Sequence, residues 1–151
     1  MHDVISIPTR SNRLLLAVSF VCFAVAGLLT SAVDTLVPTL AATAVAIAGV
    51  YCVARYATRV SRRTLANLSL AFWVAFLTVA SVHAIGLETV GAAIPGNAST
   101  HVYSLTAITW GTLLIAAAAT VFLGFREYGA TSSADAPEEQ ILEGESDYST
   151  R

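Results

Sequence analysis

The chain reads as an all-α membrane protein, a four-helix antiparallel transmembrane bundle with both termini cytoplasmic. Three observations lead there. Of its 151 residues, 56% are hydrophobic and only 12% charged, with a mean hydropathy of +0.70; soluble domains carry about 25% charged residues. The apolar residues collect in four runs, each long enough to cross a hydrocarbon core, which takes about 20 residues of helix. All eight basic residues are Arg, and a four-span threading puts every one of them on the same side. Nearly all the ordered mass is then spans and short connections, with no room for a separate soluble catalytic domain.

Residues 1–13 form a polar head with Asp3, Arg10 and Arg13, and Ser11 or Asn12 is placed to cap the helix that follows. The first span is 14–33. Ala24-Val25-Ala26 resembles a signal-peptide cleavage site, but the apolar run continues to Val33, which favours an intact span. Asp34-Thr35 makes a turn and an N-cap, with Pro38 in the first helical turn, where its missing N–H does no harm. The second span, 36–53, carries Ala41, Ala42, Ala44, Ala46, Ala48 and Gly49. Small residues let another backbone come close, so this span is expected to pack centrally. Cys22 and Cys52 fall at different depths, too far apart for a disulfide, and serve as small packing residues.

A basic stretch holding Arg55, Arg59, Arg62 and Arg63 separates the second span from the third and marks a cytoplasmic loop. The third span is 65–87. Asn67, Ala71 and Ala75 line one face, and Phe72, Trp73 and Phe76 add bulk. Glu88, Gly91, Pro95 and Gly96 punctuate the loop 88–102. The fourth span, 103–125, repeats Thr112, Ala116, Thr120 and Gly124 every four residues: a packing seam within the bundle, or a homodimer face. Residues 126–151 turn polar and acidic and are expected to be a disordered cytoplasmic tail, with Ile141-Leu142 a short docking point.

With the N-terminus inside, the cytoplasmic side receives Arg10, Arg13, Arg55, Arg59, Arg62, Arg63, Arg126 and Arg151, and the exterior receives none. Asn97-Ala98-Ser99 then lies outside, where Asn97 matches an N-glycosylation acceptor.

An all-Arg basic complement, abundant Ala, Thr and Val, and an acidic tail together resemble proteins of haloarchaea; a high-GC bacterium is the other source of such usage. In size and span number the chain is similar to the internal membrane proteins of pleomorphic haloviruses. That resemblance implies a structural membrane protein of halophilic archaea or their viruses.

No Asp, Glu or Arg interrupts the four runs, and no Pro or Gly breaks one at its middle. A transporter driven by buried carboxylates is therefore disfavoured. His83 and His101 both fall near the exterior end of their spans, where two imidazoles from facing helices can ligate haem b or another metal; interfacial histidines also simply reach toward water. Arg55, Arg59 and Arg63 share one face if the second helix continues past Val53, a strip suited to anionic lipid headgroups or to the acidic tail. It also serves as a topology determinant alone, and in molar salt a Debye length of about 3 Å screens attraction to the tail. No zinc spacing, P-loop, nucleophile elbow or dinucleotide fingerprint is present, and so short a basic loop against a membrane does not fit nucleic acid.

The expected function is non-enzymatic and without a cofactor: a structural or assembly component of the cell membrane, packing with a protein partner or a second copy in the lipid bilayer. The alternatives are a small haem-binding redox subunit using His83 and His101, and a minimal oligomeric channel lined by Thr and Ser.

Overall fold

A computed structural model describes residues 10–32, 35–86, 89, 93 and 95–134. Four long helices account for nearly all of them: α1 (Arg10–Ala32), α2 (Leu36–Ala57), α3 (Arg62–Ile85) and α4 (Ala98–Ala134). Each is long and apolar enough to cross a membrane. Leu87, Glu88 and the acidic segment 135–151, including Ile141-Leu142, lie outside the described residues.

The helices overrun the predicted spans because local polar groups, rather than the end of an apolar run, decide where a helix stops. α1 begins at Arg10, so Ser11 and Asn12 sit inside its first turn instead of capping it. Thr35 takes the extended N-cap conformation of α2, yet its side chain makes no cap bond. Pro38 is tolerated there because the first N–H groups of a helix lack intrahelical partners anyway. α2 runs past Val53 to Ala57 and then breaks. Arg59 therefore lies in the turn and Arg63 on α3, and the expected one-helix strip of Arg55, Arg59 and Arg63 does not form. Ser61 caps α3, its Oγ accepting from the Thr64 N–H at 3.2 Å. α3 closes on Gly86, whose φ of +102° is readily adopted only without a side chain.

α4 is the largest departure. It has 37 residues, about 55 Å of helix against a hydrocarbon core of about 30 Å. It starts at Ala98, five residues before Tyr103, with the Asn97 Oδ1 accepting from the Ser99 N–H (3.1 Å) and Ser99 Oγ (2.6 Å). Its far end includes residues 126–134, assigned from sequence to the disordered tail.

The helices pack in the order α2, α1, α4, α3, with a smaller contact between α2 and α4. Among the described residues α2 and α3, although consecutive and joined by a short turn, do not pack along their lengths. The central helix is α4, not α2. Of Ala41, Ala42, Ala44, Ala46 and Ala48 only Ala42 is buried, whereas Ala116 and Ala119 of α4 are wholly enclosed. Glycines opposite aromatic rings bring α1 close to both partners. A Cβ on Gly27 would overlap Trp110, one on Gly111 would come within 2.8 Å of Phe20, and one on Gly49 within 2.8 Å of Phe23.

The core is concentrated toward the arginine-bearing end. Tyr56, Ala57, Leu65 and Ala119 join all four helices there, with Leu15, Leu16 and Phe122 packed against them. Phe23, Val53 and Ile115 form the next layer. Leu65 and Ser69, the buried residues of α3, both lie in its first two turns. Beyond them α3 packs along α4, with Phe72 against the layer of Phe23, Val53 and Ile115.

Candidate interhelical and terminal polar sites

Hydroxyl side chains do most of the polar work between helices. Thr120 Oγ1 donates its one proton to the Ala116 carbonyl at 2.8 Å. It therefore accepts from Ser69 Oγ (2.7 Å) and Trp73 Nε1 (3.1 Å), both on α3. One donor and two lone pairs are all a hydroxyl has, and all are used. Ser19, fully buried in α1, donates to the Gly49 carbonyl of α2 at 3.0 Å.

The four residues of the predicted seam thus have separate roles. Thr112 is buried and bonds back to the Ile108 carbonyl of its own helix at 2.8 Å. Ala116 is enclosed, and Thr120 is the bonding node. Gly124 is no close-approach point, since a Cβ there would meet nothing within 4 Å.

His83 Nε2 lies 2.9 Å from Thr109 Oγ1. The Thr109 proton goes to the Leu105 carbonyl at 2.8 Å, so Nε2 must carry the hydrogen and donate. His101 sits eight residues before Thr109, about 12 Å along the helix. Its Nε2 is buried without a partner among the described residues and faces Gly96, where a Cβ would come within 2.9 Å of it. His83 on α3 thus meets α4 at Thr109, about two turns along from His101, rather than at the shared depth expected. Among the described residues no three His, Cys, Asp or Glu side chains converge as a metal site. Cys22 and Cys52 are free thiols.

At the other end of the bundle the arginines gather. Arg126 Nη1 donates to the carbonyls of Ala57 (3.0 Å) and Val60 (2.8 Å). The Ala57 carbonyl is at the end of α2, where the helix dipole leaves partial negative charge, and the Val60 carbonyl belongs to the turn that follows. Arg62 pairs with Glu127 at 3.3 Å, and Arg59 donates to Ser11 Oγ at 3.0 Å. Arg10, Arg13, Arg55 and Arg63 are exposed. Glu127 is the only acidic side chain among the described residues.

Sequence reasoning missed Ser19, Trp73, Arg126, Gly27 and Gly111 as interhelical contacts. For Ser19 a signal existed: it is the one hydroxyl between Leu14 and Leu29, in an otherwise apolar stretch. For Arg126 there was none, because its acceptors are main-chain carbonyls some 66 to 69 positions away. Comparison with family models, curated proteins and solved structures finds no match to this chain.

Proposed function

We propose that this chain is a non-enzymatic structural or assembly component of a cell membrane, acting by helix packing within a larger complex or envelope. Its four spans run antiparallel with both termini cytoplasmic. The pairing of Ser19 with Gly49, and of Ser11 in the first turn of α1 with Arg59 beyond the end of α2, supports the reversal between α1 and α2. The one-sided arginines support the orientation. Composition supports a halophilic setting.

The observation that carries the functional reading is α3. Its polar residues Ser69, Trp73 and His83 are spent on α4, while Leu70, Val74, Leu77 and Ile85 are exposed among the described residues. In lipid such a face costs nothing to leave open, and it is available to another membrane helix.

The test places Trp at Leu70, Val74 or Leu77 and follows particle mass in mild detergent and subunit number in bilayers by photobleaching. Assemblies of the native chain that shrink in these variants, with helix content unchanged, support the reading. A monomer of unchanged mass in every variant overturns it. The purified protein, supplied with haem, is expected to show a flat oxidised-minus-reduced spectrum and no conductance in liposomes. A Soret band lost in His83→Ala would move the protein to the redox class.

A further inference from the structure

We propose that the acidic segment 135–151 docks on the arginine end of its own molecule, over the first turn of α1 and the turn between α2 and α3. This goes beyond the assembly reading and does not depend on which side of the membrane that end occupies.

The placement follows from α4. Arg126 and Glu127, on consecutive positions, grip the Ala57 and Val60 carbonyls and the Arg62 guanidinium. The helix that leads into the acidic segment is thereby fixed against the basic turn. From Arg126 to Ala134 it advances only about 12 Å. Seventeen residues follow in the sequence, with a reach of at most about 56 Å. A return to the turn consumes a small part of that length, and the entropy of closing so short a loop rises slowly with its size.

The charges are complementary. Asp135, Glu138, Glu139, Glu143, Glu145 and Asp147 stand against Arg151 alone in the segment. Opposite them, Arg10, Arg13, Arg55 and Arg63 have no carboxylate partner among the described residues, and Arg59 bonds a neutral hydroxyl. The Arg62–Glu127 pair shows one acid of this part of the chain already engaged in that way. Anionic headgroups are the rival occupant. The tethered segment competes at a local concentration in the millimolar range, which is the advantage of a short linkage. Docking in this form is a salt-set mask. At about 0.1 M salt the Debye length of about 10 Å lets the whole cluster act together, whereas at 1 M it falls to about 3 Å and only direct contacts survive.

The test uses the full chain in nanodiscs with Cys22 and Cys52 replaced by Ala, and cysteines introduced at Thr58 and Ser146. A short bis-maleimide is expected to join the two positions within one molecule at 0.1 M NaCl in zwitterionic lipid. The yield should fall severalfold at 1 M NaCl, in a Glu138→Gln/Glu139→Gln/Glu143→Gln variant, and in Arg55→Gln/Arg63→Gln. The replaced arginines are exposed, so the fold is spared. A yield indifferent to salt and to both charge removals overturns the proposal, as does cross-linking only between molecules. Complete loss at 0.1 M NaCl when phosphatidylglycerol is added assigns the arginines to headgroups and likewise overturns it.

Discussion

Thr120 and Gly27 show how much of this fold depends on single side chains. Thr120→Val keeps the shape but strands the Trp73 N–H and the Ser69 hydroxyl. Hydrogen bonds between membrane helices contribute about 0.6 to 1.7 kcal/mol. Denaturant unfolding in mixed micelles should therefore show a loss of about 1–2 kcal/mol for the valine variant and a near-neutral result for Thr120→Ser. Glycines provide the second contrast. Gly27→Ala drives a methyl into Trp110, at an overpacking cost of about 1–3 kcal/mol. Gly124→Ala meets open space and should be neutral or stabilising by up to about 1 kcal/mol through helix propensity. Thermal melts of the two variants in one detergent check the sign. In the sequence these glycines look alike, each flanked by apolar residues. What separates them is the ring on a different helix, which no local pattern encodes.

At the scale of the helix, existence was legible and extent was not. Four apolar runs announce four helices, because lipid leaves the backbone no other way to satisfy its polar groups. The ends depend on caps and on partners from elsewhere in the chain. The Ser61 cap can be read from Ser61 and Thr64; the end of α2 cannot, since Arg126 supplies it from α4. Replacing Arg126 by Lys trades the planar Nη1, whose two fixed N–H bonds meet the two carbonyls, for a point charge. The Thr58 N–H, bonded to the Ala54 carbonyl at 3.1 Å, and the Arg59 N–H, bonded to the Tyr56 carbonyl at 2.9 Å, should then exchange severalfold faster. Unchanged exchange would mean that α2 ends without help from Arg126.

For the whole molecule, hydropathy yields the helix number and the arginines an orientation, but neither yields neighbours. The alanine count singled out α2 as the centre, yet alanine suits a lipid-facing surface as well as a helix contact, and only the aromatic residues opposite Gly27, Gly49 and Gly111 decide between them. The level at which His83 meets α4 is hidden for a related reason: it depends on Thr109 of another helix, which span ends do not reveal. Orientation is testable directly. A cysteine introduced at Ser61 should resist a membrane-impermeant thiol reagent in intact cells, and one at Ser99 should react. Labelling at Ser61 from outside would reverse the threading.

The position of α4 also bears on how the molecule is made. It is the last of the four helices to leave the ribosome, and it is the helix α3 packs along. Until residue 98 and beyond have emerged, α1 and α2 can pair, but α3 must wait alone in the lipid with Ser69 and Trp73 unpartnered. A nascent chain stalled in the loop before α4 is therefore a half-finished object that quality-control proteases can recognise. Completion of α4 is the event that removes the exposed hydroxyl and indole from their reach.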